Sequence, residues 1–587
     1  MATCESWAYE IVDHLYDQGK LSAESLMQHL EDTVAIGSCI PDTAKPELKR
    51  VFQLAANNDG LLTEDALLNL LRTKTAIRLS PELVEANKIV FSALSYLGNL
   101  PLGSKTDSGL DGITFVQFSR ALVWILPAIC GHILMEDNFS RARTEADDRR
   151  LLFQSLASRY PEPLYEAPIA RKVALRNAFD YHHHIGSDLC ATNYDDDGDE
   201  IFHDLLHILY TSQDQDKTPH IAPAPMDAFR PLAKKISTKH NLPVLRTLGI
   251  PADRFVALLR LLLAMQFEAP TAQEEPVDLS HFTPPAVSLC AAFTAADTHN
   301  IVTHPSFDHG LHQLAPYLLD SLRQFLSLTF LGRPYALLIP RPSQLPGIQN
   351  PDRILTLPLA AQLATFLCWN LDYVSLSRHA RFTPDVPPES ASGLMKAFTP
   401  PEDSEPPSVV LFKGRSTVDS EQVVFGLFTP HPGKDGQAIF DVSEPNRVGD
   451  HGCALFQLAP VHGVFRGTPG KPGWNMLDER TIVFGEVGAG VCMTISLPCP
   501  SSEEAAKEEG NEGKSLGRIT ARQVMVSGEE EDLDETRGWD REDGWFDEAK
   551  AKKEREKEGW TYEGDAGRGN WIAEVEMESV EVWSMGE

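Results

Sequence analysis

The sequence predicts an α+β protein, with a helical N-terminal half followed by a C-terminal β-sandwich with flanking helices. Three observations carry this reading. Before residue 350, apolar residues recur at helical spacing between capping residues and glycines. Residues 409–497 then change character. They read VVLFKGRST, QVVFGLFTPHP, GCALFQLAPVHGVFRG and TIVFGEVGAGVCMTISL, short apolar or alternating runs bounded by Gly, Pro, Asp or Ser. Finally, NWIAEVEMESVEVW near the end reads as a strand that must return to the sheet across an acidic stretch.

The helical elements follow in order. Ser6 is placed to cap a helix carrying Ile11, Val12 and Leu15 that ends near Gly19. Ser22 caps the next, with Leu26 and Leu30 on one face. Ser80-Pro81-Glu82 is a helix start, because a Pro in the first turn gives up an N–H that has no partner there. Its stripe is Leu83, Val90, Leu94 and Leu97, and Gly98 ends it. Residues 216–245 contain Pro and Lys and read as linking. FVALLRLLLAMQF is apolar nearly all round and predicts a buried helix. APYLLDSLRQFLSLTF predicts another, with Pro316 near its start and Gly332 and Pro334 beyond its end.

Two segments resemble EF-hand loops. FQLAANNDGLLTEDALLNLL carries an Asp59-Gly60 turn. With Gly60 at loop position six, Ala55 and Ala66 occupy positions one and twelve, where calcium requires oxygen donors and a bidentate Glu. In TDSGLDGITFVQF the twelfth position falls on Gln117 or Phe118. Degenerate, metal-free helix–loop–helix units are expected. A third segment, TNYDDDGDEIFHDLLHILY, sets Asn193, Asp195, Asp197 and Asp204 at positions one, three, five and twelve around Gly198. Glu200 stands where a small apolar residue normally packs, so an acidic helix entry is the favoured reading. His203 and His207 flank Asp204 as HDLLH, close to the zinc-peptidase HExxH, but Asp is a methylene shorter than the Glu that chemistry uses. Asp195, Asp197, Asp204, His203 and His207 are kept as candidate ligands, against an expectation of no metal and no cofactor. The run His182 to His184 reads as a surface loop.

Composition excludes several classes. The formal charge is -32, from 84 acidic against 52 basic residues, which opposes binding to nucleic-acid phosphates or bare anionic lipid. The nine cysteines are scattered without a CxxC pair, which suits a reducing compartment. The opening MATCESWAYEIVDH is charged and polar rather than a secretory leader, and Ala2 cannot be myristoylated. The longest apolar run, Ala121 to Met135, falls short of the ~20 residues a membrane span needs. A cytoplasmic protein is expected.

Four motifs in the C-terminal part stand in the order of a known family. They are Val424-Phe425-Gly426-Leu427-Phe428, then Leu455 to Pro460 with Val464-Phe465, then Ile482-Val483-Phe484-Gly485 with Gly488 and Gly490, then Glu581-Val582-Trp583. Together they resemble the TLDc domain. The entry ILTLPLAAQLATFL, with IVFSALSYLGNLP and DDRRLLFQSLAS upstream, resembles one fungal TLDc group, the restriction of telomere capping protein 5 group. Ser375 to Phe382 departs from the family's first-strand pattern. The organisation expected is an EF-hand-like helical region over 1–160, a polar and acidic linker over 161–245, a helical region over 246–345, and a TLDc domain over 350–587 with an acidic insertion at about 500–570.

The resemblance implies a non-enzymatic regulatory protein that binds the vacuolar proton-pumping ATPase and influences its assembly. It further implies links to oxidative-stress resistance and telomere capping, and a peripheral place at the vacuole through a protein partner. A nutrient-sensing scaffold and a thiol-based antioxidant or metal-dependent enzyme are the alternatives. Residues themselves offer no active site: there is no GxxxxGK[ST], no GxSxG, and no GxGxxG between a strand and a helix. Cys453, flanked by His451 and His462, lies with Cys492 in apolar runs where thiols are inert. Partner contact is expected on the loops 426–434 and 461–474, where Phe465, Arg466 and Trp474 are anchor types.

Overall fold

The structure is a computed structural model. It describes residues 6–36, 39–103, 112–127, 129–130, 145–170, 173, 200–213, 224–270, 275–294, 300–335, 353–367, 375–398, 408–429, 454–467, 474–485, 490–498, 515–524, 562 and 568–586. The protein is a mixed helical and sheet protein, with a large antiparallel sheet in its C-terminal half.

Helices α1 (Ser6–Asp17), α2 (Ala23–Ile36), α3 (Lys45–Ala55), α4 (Glu64–Thr75), α5 (Pro81–Gly98), α6 (Phe115–Ile125) and α7 (Glu145–Leu156) open the chain. Two of the expected caps form: the Ser80 hydroxyl accepts from Leu83 N at 3.3 Å, and Ser22 from Ser25 N at 3.2 Å, while Ser6 lies within α1. About two-thirds of α5 is buried, and the other helices pack around it.

Between α3 and α4, and between α5 and α6, the loops meet in a short antiparallel bridge. Leu62 and Ile113 exchange both backbone hydrogen bonds at 2.9 Å. Gly60, two residues before Leu62, takes φ 74°, which a side chain would strain. Counted from the bridge, Gln117 corresponds to Ala66. Its side chain accepts from Thr114 N at 2.9 Å and donates to Asn99 at 3.0 Å.

The same construction recurs later, with no acidic loop pattern to mark it. Helix Arg230–His240 leads through β2 (Leu248–Pro251) into helix Ala252–Ala264, and helix Thr283–Thr294 leads through β3 (Ile301–Thr303) into helix His304–His309. Ile250 pairs with Val302 in the antiparallel β2–β3 register, and β1 (Ser158–Arg159) adds a third strand. Asn300, two residues before Val302, takes φ 55° as Gly60 does before Leu62. The segment read as linking thus contributes helix Arg230–His240, whose Leu232, Ala233 and Ile236 are buried.

The C-terminal strands are β4 (Ser375–Phe382), β5 (Ser408–Ser416), β6 (Gln422–Thr429), β7 (Ala454–Ala459), β8 (Gly463–Arg466), β9 (Trp474–Met476), β10 (Thr481–Phe484), β11 (Gly490–Ser496), β12 (Gly517–Val524) and β13 (Trp571–Gly586). Their order is β8-β7-β6-β5-β13-β12-β11-β10-β9, with β4 also on β13. The last strand is therefore the centre of the sheet. One edge of β13 meets β5, and the other meets β12 and then β4. Ser375 to Phe382 is a strand despite its departure from the family pattern, and β12 lies within the stretch expected as an insertion.

Strand alternation assigns the two faces of the sheet. Val410, Phe412, Phe425, Leu427, Leu455 and Phe465 share a core with Ile482, Phe484, Val491 and Ile519 from the other half of the sheet and with Val575 of the central β13. The sheet thus folds over on itself, and Tyr562 bridges to both Gly467 and Val491. Val409, Leu411, Val424, Phe428, Phe456 and Trp583 face the other way and join the core of the helical half. Strands buried on both faces read as continuous apolar runs, which is why β5 and β6 lack clean alternation.

Gly414 has no room for a side chain. A Cβ there would lie 2.2 Å from the backbone oxygen of Glu576 on β13. Gly414→Ala is expected to destabilise the sheet by about 1–3 kcal/mol, the usual cost of overpacking. A denaturation midpoint equal to wild type would show that the β5–β13 contact yields freely.

Candidate functional site

The acidic and histidine candidates separate. Asp195 and Asp197 lie outside the described residues. His203, Asp204 and His207 lie on helix Glu200–Thr211, as their spacing predicts. Asp204 is taken by an arginine: Arg150 of α7 donates to its two oxygens at 2.6 and 2.9 Å. The same guanidinium donates to Asp147 at 3.1 Å. Arg150 and Asp147 are 3% and 1% exposed, and Asp204 is 8% exposed. Tyr96 points its hydroxyl toward Gln154 here, and burial, with the Asp204 charge second, pushes the phenol's pKa up. Beside it Arg149 donates to Asp308 at 2.7 Å. His207 is buried. Among the described residues, no group of three or more His, Cys, Asp or Glu side chains is arranged to hold a metal. Asp204, held through both oxygens by the Arg150 fork, clamps α7 to helix Glu200–Thr211.

The thiols follow the same logic. Cys453 and His451 lie outside the described residues. Cys492 is 3% exposed, and burial raises its pKa. Burial pushes Cys130 and Cys290 up to about 12. A thiol held neutral is a poor nucleophile.

The partner candidates sit on the two edge strands of the sheet, Phe465 and Arg466 in β8 and Trp474 in β9. Phe465 is not on the surface. It is 1% exposed, lies in the folded-over core, and packs on Trp571 with ring centroids 5.8 Å apart. Strand alternation is the reason: Phe465 points inward and its neighbour Arg466 outward. Arg466 is half-buried and reaches toward the backbone oxygen of Gln313. Trp474 is half-buried in β9, opposite Phe484.

A polar junction joins the sheet to the helices, and sequence reasoning had seen only its histidine. His462, fully buried in the β7–β8 turn, contacts Gln362 Nε2 through Nδ1 at 3.1 Å and the Leu314 carbonyl through Nε2 at 3.0 Å. Its backbone N–H donates to Ser288 O at 3.1 Å. Ser288 and Gln362 in turn donate to Leu458 O at 2.6 and 3.0 Å. A neutral imidazole accepting at Nδ1 and donating at Nε2 fits both ring contacts. Farther along, the fully buried Glu581 accepts from Leu355 N and from the Trp583 indole, both at 3.1 Å. The closing Glu-Val-Trp motif is thus a docking device: it ties β13 to the segment leading into the sheet.

The fold and this junction define a helix-and-sheet protein whose two halves share one apolar core and whose buried polar groups are used for docking. No family model matches the chain. It is 21% identical over 550 residues to restriction of telomere capping protein 5 of Sordaria macrospora, covering 84% of this chain and 82% of that protein. It is 25% identical over 519 residues to the protein of the same name from Fusarium vanettenii, covering 81% and 77%. This homology therefore spans both the helical half and the sheet. Among the described residues no helix is long and apolar enough to cross a membrane.

Proposed function

We propose that the chain is a non-enzymatic TLDc-type interaction protein, homologous to the restriction of telomere capping protein 5 proteins it is similar to. In this reading it binds the vacuolar proton-pumping ATPase in the cytoplasm and shifts the pump's assembly state. A protein that contacts one state more extensively than another shifts their populations by that difference in affinity. One observation carries the reading. The four family-like segments, far apart in sequence, are brought into one antiparallel sheet whose centre is the Glu581–Trp583 strand. The two bridged helix–loop–helix pairs are read as metal-free EF-hand-like units, because Ala66, Gln117, Arg254 and Ser306 stand four residues beyond the bridge residues and none is a carboxylate.

Contact is proposed at Arg466 and Trp474, the two anchor types that remain partly exposed. Affinity purification of the full chain from cell extract should recover pump subunits. Arg466→Glu should reduce their recovery at least tenfold, because it reverses one rim charge, while leaving the far-UV circular dichroism unchanged. A purification free of pump subunits would end this reading, and equal recovery with Arg466→Glu would move the contact elsewhere.

A further inference from the structure

Arg120 is a buried cation that the fold leaves under-bonded. It stands in the middle of α6, packed against α2, and is 6% exposed. Among the described residues its one hydrogen-bond acceptor is the Met27 carbonyl, at 3.4 Å from Nη1. That carbonyl lies inside α2, where it already accepts the N–H of residue 31. Arg120 Nε is buried without a partner. Glu31 attracts the guanidinium through space, yet among the described residues no ion pair joins them, and burial holds the guanidinium's pKa below its usual value. The contrast with Arg150 is direct: that arginine, equally buried, has two carboxylates on its guanidinium. A guanidinium is a planar fork suited to a two-point contact with an oxyanion. Met27 and Glu31 lie one turn apart on α2 and are both half-buried, so the group is close to the surface.

We propose that Arg120 is an oxyanion-binding site, which takes the carboxylate or phosphate group of a ligand approaching past Met27 and Glu31. The free protein bears the cost of a buried charge that no carboxylate among the described residues pairs with directly. Glu31 weakens binding by repelling the incoming group, and so limits the site to ligands that can use both edges of the fork.

Thermal unfolding of the full chain tests this at constant ionic strength, with chloride replaced by inorganic phosphate or by acetate. Wild type should show a saturable rise in Tm with at least one of the two. Phosphate also stabilises proteins by general exclusion, so the readout is the difference from Arg120→Met. That variant should unfold at or above the wild-type temperature in chloride and lose the saturable rise. Glu31→Gln should show the rise at several-fold lower anion concentration. A response to phosphate alone assigns a phosphate-bearing ligand, and a response to acetate alone a carboxylate. Equal responses in wild type and Arg120→Met overturn the proposal, as does no response to either anion. It is also overturned if Arg120→Met and Glu31→Gln both destabilise and their effects are coupled, since the two residues would then be a structural ion pair.

Discussion

Asp204→Ala is expected to destabilise the helical half by about 3–5 kcal/mol, the cost of removing one partner from a buried ion pair. The effect is large because of what is left behind. Arg150 would keep its 3.1 Å bond to Asp147, but the fork that now spans both oxygens of Asp204 would point at a methyl group. Water cannot readily replace the carboxylate, since Arg150 is 3% exposed. Arg150→Met should cost a similar amount for the opposite reason, as it strands Asp147 and Asp204 together. Combining Arg150→Met with Asp204→Leu and Asp147→Asn should recover much of the loss, because the arginine and both carboxylate charges are then removed together. Chemical denaturation followed by circular dichroism reads all three. A loss under about 1 kcal/mol for Asp204→Ala would mean that the cluster behaves as an exposed pair, hydrated in solution. It would also reopen the candidacy of Asp204 as a ligand, because a carboxylate only weakly held by Arg150 is available to a cation.

The neighbouring residues show why Asp204 was misleading in the sequence. HDLLH gave the correct helix and the correct shared face, since both follow from spacing alone. What opposes that face is decided by α7, some fifty residues earlier, and no local pattern records it. The same division runs through the whole chain. Ser22, Ser80 and the Thr-Ile-Val-Phe run at 481–484 were legible because caps and strands are set by neighbours within a few residues. The second helix–loop–helix pair was not, because its bridge residues Ile250 and Val302 sit in loops without a run of acidic residues to mark them. Phe465 shows a third limit. Its type suggested an interface anchor, but whether an aromatic at a strand end faces a partner or its own core depends on the register, which only pairing with β7 fixes. His462 was visible as a histidine beside a cysteine. Its role as the meeting point of Ser288, Leu314 and Gln362 needed the docking of three separate segments on one turn.

Trp583→Ala should be among the most damaging single changes in the sheet, at about 3–5 kcal/mol for a large side chain removed from a closed core. Trp583 is 1% exposed and belongs to the core shared with the helices, whereas its neighbours Val580 and Val582 face the folded-over interior. Its loss therefore opens a cavity between the two halves while leaving the strand's other face intact. Two terms can be told apart. Trp583→Phe keeps most of the apolar volume but removes the indole N–H from Glu581, which would then keep only Leu355 N. That change alone should cost about 1–3 kcal/mol, the penalty for leaving a buried acceptor short of a donor. The pattern of unfolding matters as much as its midpoint. Wild type, with one apolar cluster running from α1 to β13, is expected to lose both halves together. Trp583→Ala should separate them into two transitions, with the helices and the sheet melting apart. A single unshifted transition in Trp583→Ala would show that the halves are held by the His462 junction instead, and that β13 closes the sheet without fastening it to the helices.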